Sequence, residues 1–320
     1  MIPGGSRCLA VMYHYVHDSP PESVRGVRGL TASAFEAQLD ELLSIAEPID
    51  WPRLYAWRRG RAGIPSRCFL LTFDDGLADH AEIVLPILQR RGIRGVFFVS
   101  GSTLTTTRML PAHAIHLLLA SLGTDQLRCE LLDHLTAHWP GSGWVESVNS
   151  AAAESMYHYE PPALAHLKYL LTVALPIAVR NQAVEELFER HVGSPARWAR
   201  RWYLTWDHLS EIQSLGHTIG GHGHLHEPLL RLSAEAQLQD MLAVAQVLRD
   251  GLGPDLRPFS YPYGSVDAQV AAACARAGFE QGFTTEPHVI DDDCDVFRLP
   301  RVDAANINAA LIREFACNPM

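Results

Sequence analysis

The alternation of short apolar runs with helical patterns constrains the fold of this chain more than any other feature. Strand-like runs occur in both halves of the sequence, at Leu9–Met12, Cys68–Phe73, Gly95–Val99, Thr218–Gly220, Pro258–Ser260 and Gly282–Thr285. Helical patterns lie between them, at Phe35–Ile45, Ala81–Arg91, Trp206–Leu215 and in the segments after Ser233 and Asp267, two residues suited to capping a helix. This alternation is typical of β/α units, so the sequence predicts an α/β fold with a largely parallel sheet.

The stretch from about residue 101 to residue 200 departs from this pattern. It contains helical patterns at Ala114–Leu122, Ala163–Leu175 and Ala183–Phe188 but few strand-like runs. A chain of 320 residues can hold one large domain together with a sizeable addition. We therefore predict a single domain over residues 1–320, with a helical insertion over residues 101–200.

Charge and cysteine usage narrow the expected partners and compartment. A net charge of −10 disfavours a nucleic-acid partner, and no segment reaches about 18 uninterrupted apolar residues, so no membrane span is expected. The first apolar run is too short for a signal peptide. The cysteines are scattered without a C-x-x-C pair and indicate reduced thiols in a cytoplasmic protein: Cys8, Cys68, Cys129, Cys274, Cys294 and Cys317.

Two adjacent carboxylates follow the second apolar run, in the segment Thr72-Phe73-Asp74-Asp75-Gly76. Neighbouring carboxylates raise each other's pKa unless a cation is present. A divalent metal would resolve this conflict, with one aspartate as ligand and the other as general base beside bound water. The alternative is an Asp-Asp-Gly turn with both side chains in solvent.

Three histidines lie within five residues after a Gly-Gly pair, at His222, His224 and His226. Imidazoles four residues apart fall on one side of a helical turn, which lets His222 and His226 reach one ion. His224 should then point elsewhere. A structural role for all three is the alternative, although packing seldom demands such a cluster.

Two further segments have weaker signals. The turn Tyr261-Pro262-Tyr263-Gly264 follows a strand and could direct a backbone N–H toward a developing oxyanion, but such turns are common. His14 follows directly on the first strand, where a lone histidine is usually structural.

Together these segments resemble the polysaccharide deacetylase family, also called the NodB-homology or carbohydrate esterase 4 group. The Thr-Phe-Asp-Asp-Gly, His-x3-His and Tyr-Pro-Tyr-Gly segments occur in the family's order. The resemblance covers Leu9 to about Val99 and Tyr203 to about Val302, and it implies a distorted (β/α)7 barrel. It also implies roles for the motif residues: Asp75, His222 and His226 as metal ligands, Asp74 as general base, and the N–H of Tyr263 as an oxyanion donor.

The chain departs from the family pattern in two places. The usual C-terminal Leu-x-His strand, which supplies the general-acid histidine, is missing after Phe297. The segment ending at His14 is similar to that strand moved to the N-terminus, as in circularly permuted members acting on poly-N-acetylglucosamine, which makes His14 the expected acid. Ser260 stands where many members have an arginine, and Arg301 is the candidate to steady Asp74 in its place.

The resemblance therefore implies a metal-dependent carbohydrate N-deacetylase that hydrolyses the N-acyl amide of an amino sugar. One divalent ion is expected, zinc first, although cobalt, nickel or iron would fit the same ligands. A cytoplasmic location favours a soluble saccharide or a nucleotide-linked sugar as substrate. The alternatives are an N-deformylase or ring-amide hydrolase with the same site, and a non-catalytic carbohydrate-binding barrel. The sequence does not indicate the oligomeric state.

Overall fold

A computed structural model describes residues 6–17, 27, 29–255, 257–308 and 315. Within it the chain forms two compact units. A unit containing the β-sheet is built from residues 6–17, 29–106 and the chain from residue 201 onward, and a helical unit is built around residues 107–200. None of the described helices is long and apolar enough to cross a bilayer.

The sheet consists of parallel strands, as the alternation of apolar runs predicts. The strands are β1 (Arg7–Tyr13), β2 (Glu47–Pro48), β3 (Arg67–Phe73), β4 (Gly95–Val99), β5 (Thr218–Gly221), β6 (Pro258–Ser260), β7 (Gln281–Phe283) and β8 (Val302–Asp303). Their order is β7-β6-β5-β4-β3-β1-β8, with β2 paired to the start of β3. This parallel sheet with surrounding helices is the predicted (β/α)7 barrel fold.

The helices expected from the periodic segments are present and most begin within a few residues of the predicted position, whereas four short helices of the described chain were not predicted. The helices are α1 (Ala32–Ile45), α2 (Trp51–Arg58), α3 (Leu85–Arg91), α4 (Gly101–Thr105), α5 (Pro111–His138), α6 (Ser150–Met156), α7 (Pro162–Tyr169), α8 (Ile177–His191), α9 (Pro195–Trp202), α10 (Trp206–Ser214), α11 (Ala234–Leu252) and α12 (Ala268–Arg276). Ser233 and Asp267 are confirmed as caps, because their side chains accept hydrogen bonds from Ala236 N–H and Val270 N–H.

The central strands are buried on both faces, which explains their nearly continuous apolar sequences. In the register of β1, β3 and β4, Tyr13 lies opposite Phe73, and Phe73 lies opposite Phe97. The three rings stack, with centroids 5.3 Å and 4.8 Å apart. This ladder fixes the register next to the point where each strand ends, so the residues that follow β1 and β3 lie at one edge of the sheet.

The helical unit is organised around one long helix. Its long helix α5 packs against α8 and α7, and α6 packs against α7. Gly123 interrupts α5 with a φ of 73°, a conformation that glycine adopts without steric cost. No named strand falls within residues 107–200 of the described chain.

Candidate active site

The Asp74-Asp75 pair follows β3 at the carboxyl edge of the sheet. Asp74 is 1% exposed and Asp75 is 5% exposed, so the alternative of a solvated turn is wrong. Asp75 has a φ of 76° and Gly76 a φ of 63°. A side chain at Gly76 would also come within 2.9 Å of Val99, so this glycine is required both for the turn and for its contact with β4.

The histidine pair follows β5 in a loop, and the expected helical turn is absent there. His222 comes directly after the strand, Gly223 has a φ of 68°, and His226 has a φ of 56°. The carboxylate of Asp240, on α11, accepts hydrogen bonds from His224 N–H (2.8 Å) and Leu225 N–H (2.9 Å). The two imidazoles are therefore brought together by residues with left-handed backbone conformation and by the Asp240 carboxylate. They do not lie on a helical turn.

Asp75, His222 and His226 form one ligand cluster. The Oδ1 atom of Asp75 lies 3.2 Å from Nε2 of His222 and 3.0 Å from Nε2 of His226, and all three side chains are buried. The ligand atoms lie within 4.8 Å of one another. His222 Nδ1–H donates to the carbonyl of Ser260 at 2.7 Å, which leaves the Nε2 lone pair toward Asp75. Two imidazoles and a carboxylate suit a divalent transition metal, so these residues fit the ion that the fold implies.

Arg301 holds Asp74 in a bidentate ion pair. Its Nη1 donates to Oδ1 at 2.8 Å and its Nη2 to Oδ2 at 2.7 Å. The guanidinium also donates to Ser260 Oγ (2.8 Å), Thr72 Oγ1 (3.1 Å) and the carbonyl of Thr284 (2.9 Å). Arg301 is fully buried, and this planar pairing fixes the orientation of the Asp74 carboxylate.

The charges of the site shift the pKa values of its groups in opposite directions. Burial alone would raise the pKa of Asp74, but Arg301 and His222 lower it to about 2. Burial alone would lower the pKa of His222, but Asp74 and Asp75 raise it. Asp74 is therefore ionised throughout the neutral range.

His14 lies beside this carboxylate. It follows β1, and since Tyr13 is opposite Phe73, His14 is placed opposite Asp74 at the same edge of the sheet. It is close enough to contribute to the lowered pKa of Asp74. The carbonyl of His14 accepts a 2.7 Å hydrogen bond from Nε2 of the buried His80, which anchors the backbone at this position.

His288, the last histidine of the sequence, lies at the other edge of the sheet. It lines a cavity together with Arg7, the first residue of β1. Two residues later, Ile290 pairs with Cys8. His222, by contrast, has its Nε2 atom 4.0 Å from Oδ2 of Asp74.

Tyr263 lies on the rim of the site. Its ring is 5.2 Å from the His226 ring and the residue is 45% exposed. Its φ is 59°, and among the described residues the non-glycine positions with positive φ are Asp75, His226 and Tyr263. Such backbone strain clusters at functional sites, and here all three cases lie in the candidate site.

Two contributors were not found from the sequence. Asp240 is buried on α11 beside Met241 and one turn before Val244, and a carboxylate at such a position was the available signal. Ser260 was noted only as a departure from the family pattern. Its hydroxyl donates to Asp74 Oδ2 at 3.1 Å and accepts from Arg301, so it completes the carboxylate's environment.

Solved deacetylases share this fold. A deacetylase named PplD from Streptococcus pyogenes, solved with acetate, has a TM-score of 0.61 and 15% identity over 98% of this chain and 100% of its own. IcaB from Ammonifex degensii has a TM-score of 0.59 and 16% identity over 98% and 96% of the two chains. A de-N-acetylase from Aggregatibacter actinomycetemcomitans has a TM-score of 0.60 and 15% identity over 97% and 100%. At these identities the likeness establishes the fold.

The family is established by sequence. The profile of the polysaccharide deacetylase family matches residues 62–126 and 182–282, which is more than half of the chain and includes both the aspartate and the histidine motifs. No curated protein matches the chain significantly. The chain belongs to the polysaccharide deacetylase family, whose members hydrolyse N-acetyl groups of sugars and generally use a divalent metal ion.

Proposed function

We propose that this protein is a metal-dependent N-deacetylase of an amino sugar. The observation that carries the proposal is the buried ligand cluster of Asp75, His222 and His226 beside an Asp74 carboxylate that Arg301 holds in a fixed orientation. A catalytically inactive binding barrel would not need to retain these costly buried charges.

The ion would be held by Asp75, His222 and His226. A divalent metal with these ligands supplies Lewis acidity, which polarises the acyl carbonyl and acidifies water. We propose zinc as the resident ion, and cobalt, nickel and iron suit the same donors.

Asp74 is proposed as the general base. Its pKa of about 2 keeps it unprotonated at neutral pH, and the Arg301 pair presents the carboxylate in one orientation. Oδ2 lies 4.0 Å from His222 Nε2, so the carboxylate borders the ligand cluster without belonging to it. This position supports the proposal that Asp74 accepts a proton from water at the metal site.

His14 is proposed as the general acid that protonates the departing amine. The support is the position of β1 next to β3, which puts His14 opposite Asp74 although the two residues are 60 positions apart in the chain. On this basis we propose that β1 replaces the family's C-terminal histidine strand, which makes the chain a circularly permuted member.

The backbone N–H of Tyr263 is proposed as a donor to the oxyanion. The Pro262-Tyr263-Gly264 turn holds Tyr263 with positive φ beside the ring of His226. A fixed N–H donor at the developing oxyanion contributes roughly 3–4 kcal/mol to catalysis in comparable sites.

We further propose a cytoplasmic location and a soluble N-acetylated saccharide or nucleotide-linked sugar as substrate. Among the described cysteines, all five are free thiols, and Cys317 lies outside the described residues. Free thiols are typical of a reducing compartment.

The test is turnover by protein stripped with a chelator and then reloaded with zinc. The substrates are a panel of N-acetyl and N-formyl amino sugars, free, glycosidic and nucleotide-linked. We expect activity that depends on the metal and is greatest for an acetylated sugar. Equal activity of stripped and reloaded protein would reject metal dependence, and exclusive release of formate would assign a deformylase instead.

A further inference from the structure

A second group of metal-ligating side chains lies in the helical unit. His134 and His138 are one turn apart on α5, and Glu186 lies on α8, which packs against α5. Each offers one ligand atom, and the three atoms lie within 4.8 Å of one another. We propose that these residues form a second site, which binds a divalent transition-metal ion and joins α5 to α8.

The strongest observation is the environment of His134. Its side chain is 1% exposed, and neither ring nitrogen has a hydrogen-bond partner. Oε2 of Glu186 lies 3.7 Å from Nδ1, which is beyond hydrogen-bonding distance. A buried polar group without a partner is costly, and a ligated ion between the imidazole and the carboxylate would remove that cost.

The other two ligands are oriented by neighbouring groups. His138 Nδ1–H donates to the carbonyl of His134 at 2.9 Å, so its lone pair is on Nε2. Gln182 donates to Oε1 of Glu186 at 3.0 Å, which leaves Oε2 toward His134. Hydrogen bonds of this kind, which fix the tautomer and the carboxylate orientation, normally surround metal ligands.

The rings are also held in place by aromatic contacts. The imidazoles of His134 and His138 stack with centroids 4.2 Å apart and an interplanar angle of 25°. The indole of Trp139 lies 5.9 Å from the first ring and 5.7 Å from the second. For both nitrogens to ligate one ion, the two imidazoles must rotate out of this stacked arrangement.

The charge balance favours a transition metal. Two neutral imidazoles and one carboxylate leave an ion with net positive charge, and this donor set suits zinc, cobalt, nickel or copper rather than calcium or magnesium. The nearby Arg190 opposes a cation, but it is paired with Glu130 at 3.3 Å.

The site differs from the proposed catalytic one in its exposure. His138 is exposed and the Glu186 side chain is 41% exposed, so the ion would be reached directly from solvent. No acid–base partner comparable to the Asp74–Arg301 pair accompanies these ligands in the described part of the unit. The proposed ion therefore has a structural role, in which it links α5 to α8.

The experiment counts zinc bound to chelator-stripped, full-length protein by equilibrium dialysis and elemental analysis. We expect two equivalents in the wild type and one in either Glu186→Gln or His138→Ala, since both side chains are accessible and their loss should not prevent folding. Glu185→Gln is the matched control, because Glu185 is the exposed neighbour on the same helix, and it should keep both equivalents. His222→Ala should lose only the equivalent of the deacetylase site, so the two sites are counted separately.

A second measurement distinguishes a structural ion that links the two helices from an ion that is bound weakly at the surface. Zinc should raise the melting temperature of His222→Ala, because an ion that binds only the folded state stabilises it, and should leave His222→Ala/Glu186→Gln unchanged. The deacetylase activity of zinc-loaded Glu186→Gln should equal that of the wild type. A single equivalent in the wild type, or two equivalents retained in Glu186→Gln and His138→Ala, would overturn the second site and leave the proposed deacetylase function untouched.

Discussion

Replacing Asp74 with asparagine removes the proposed general base and keeps the proposed metal ligands. The proposed general base contributes on the order of 10²–10⁴-fold to the rate, which is about 3–5 kcal/mol of activation free energy. The proposed ligands Asp75, His222 and His226 are unchanged, so Asp74→Asn should still bind metal. The measurements are elemental analysis of the loaded variant and the turnover number with an acetylated amino sugar.

The same substitution has a structural cost that must be distinguished from the catalytic loss. Asparagine can accept only one of the two bonds from Arg301, which leaves a buried guanidinium without a counter-charge. Breaking a buried pair in this way costs about 3–5 kcal/mol, compared with a total stability of roughly 5–15 kcal/mol for a domain. A fall in the melting temperature is therefore expected together with the loss of turnover.

The double variant Asp74→Asn/Arg301→Met resolves the two effects. The guanidinium carbon lies 5.5 Å from the ring of Phe98 and 6.0 Å from that of Phe283, and a methionine is compatible with these aromatic neighbours. The double variant should regain part of the stability and none of the activity. Near-normal turnover in metal-loaded Asp74→Asn, or activity that returns with stability in the double variant, would refute the role of Asp74 as base.

Three further predictions concern the metal, the acid and the pH dependence of stability. His222→Ala should lack the catalytic metal when its metal content is measured by elemental analysis. If the variant holds as much metal as the wild type, the ligand assignment is wrong. His14→Ala should keep metal and fold but lose amide hydrolysis far more than hydrolysis of an aryl acetate, whose leaving group needs no proton; equal losses would make His14 structural or substrate-positioning. Burial, with Arg94, lowers the pKa of His217 from 6.5 to about 4, and its Nδ1 accepts the N–H of Gly95. The unfolded chain therefore binds the proton more readily, and the free energy of unfolding should fall by at most about 3 kcal/mol per group as the pH drops from 6.5 toward 4. His80 has the same lowered pKa, so His217→Asn, which keeps an acceptor for Gly95, should lose part of this slope; an unchanged slope would show that His217 does not contribute.

The long strands could be predicted from the sequence because they are buried on both faces. β1, β3 and β4 have nearly continuous apolar sequences, which are typical of strands buried on both faces. The bounds of β4 are those predicted from the sequence. The two-residue strands β2 and β8 were missed because so short a pairing has no period to detect. The helix expected over Ala81–Arg91 begins with a π-helical segment, His80–Val84, which an apolar pattern does not distinguish from an α-helix.

The chemistry of the site was visible in the sequence, but its geometry was not. The paired aspartates and histidines are local motifs whose residue types indicate an ion. The loop that brings His222 and His226 together depends on Asp240, and the orientation of Asp74 depends on Ser260 and Arg301. These contacts join residues far apart in the chain, and spacing alone cannot place them.

Tyr263→Gly tests whether the backbone or the side chain of this residue contributes to turnover. The variant keeps the N–H and removes the ring, which is 45% exposed and contacts the ring of His226. Glycine relieves a left-handed strain of roughly 1–2 kcal/mol, but it adds about 0.4–1 kcal/mol of unfolded-state entropy and loses the buried part of the ring, so a modest fall in the melting temperature is expected. If the N–H is the oxyanion donor, turnover of a small acetylated substrate should stay within about tenfold of the wild type, since losing a donor outright costs about 10²–10³-fold. A loss of that larger size in a folded, metal-loaded Tyr263→Gly protein would assign the function to the ring, which lies beside His226, instead of the backbone.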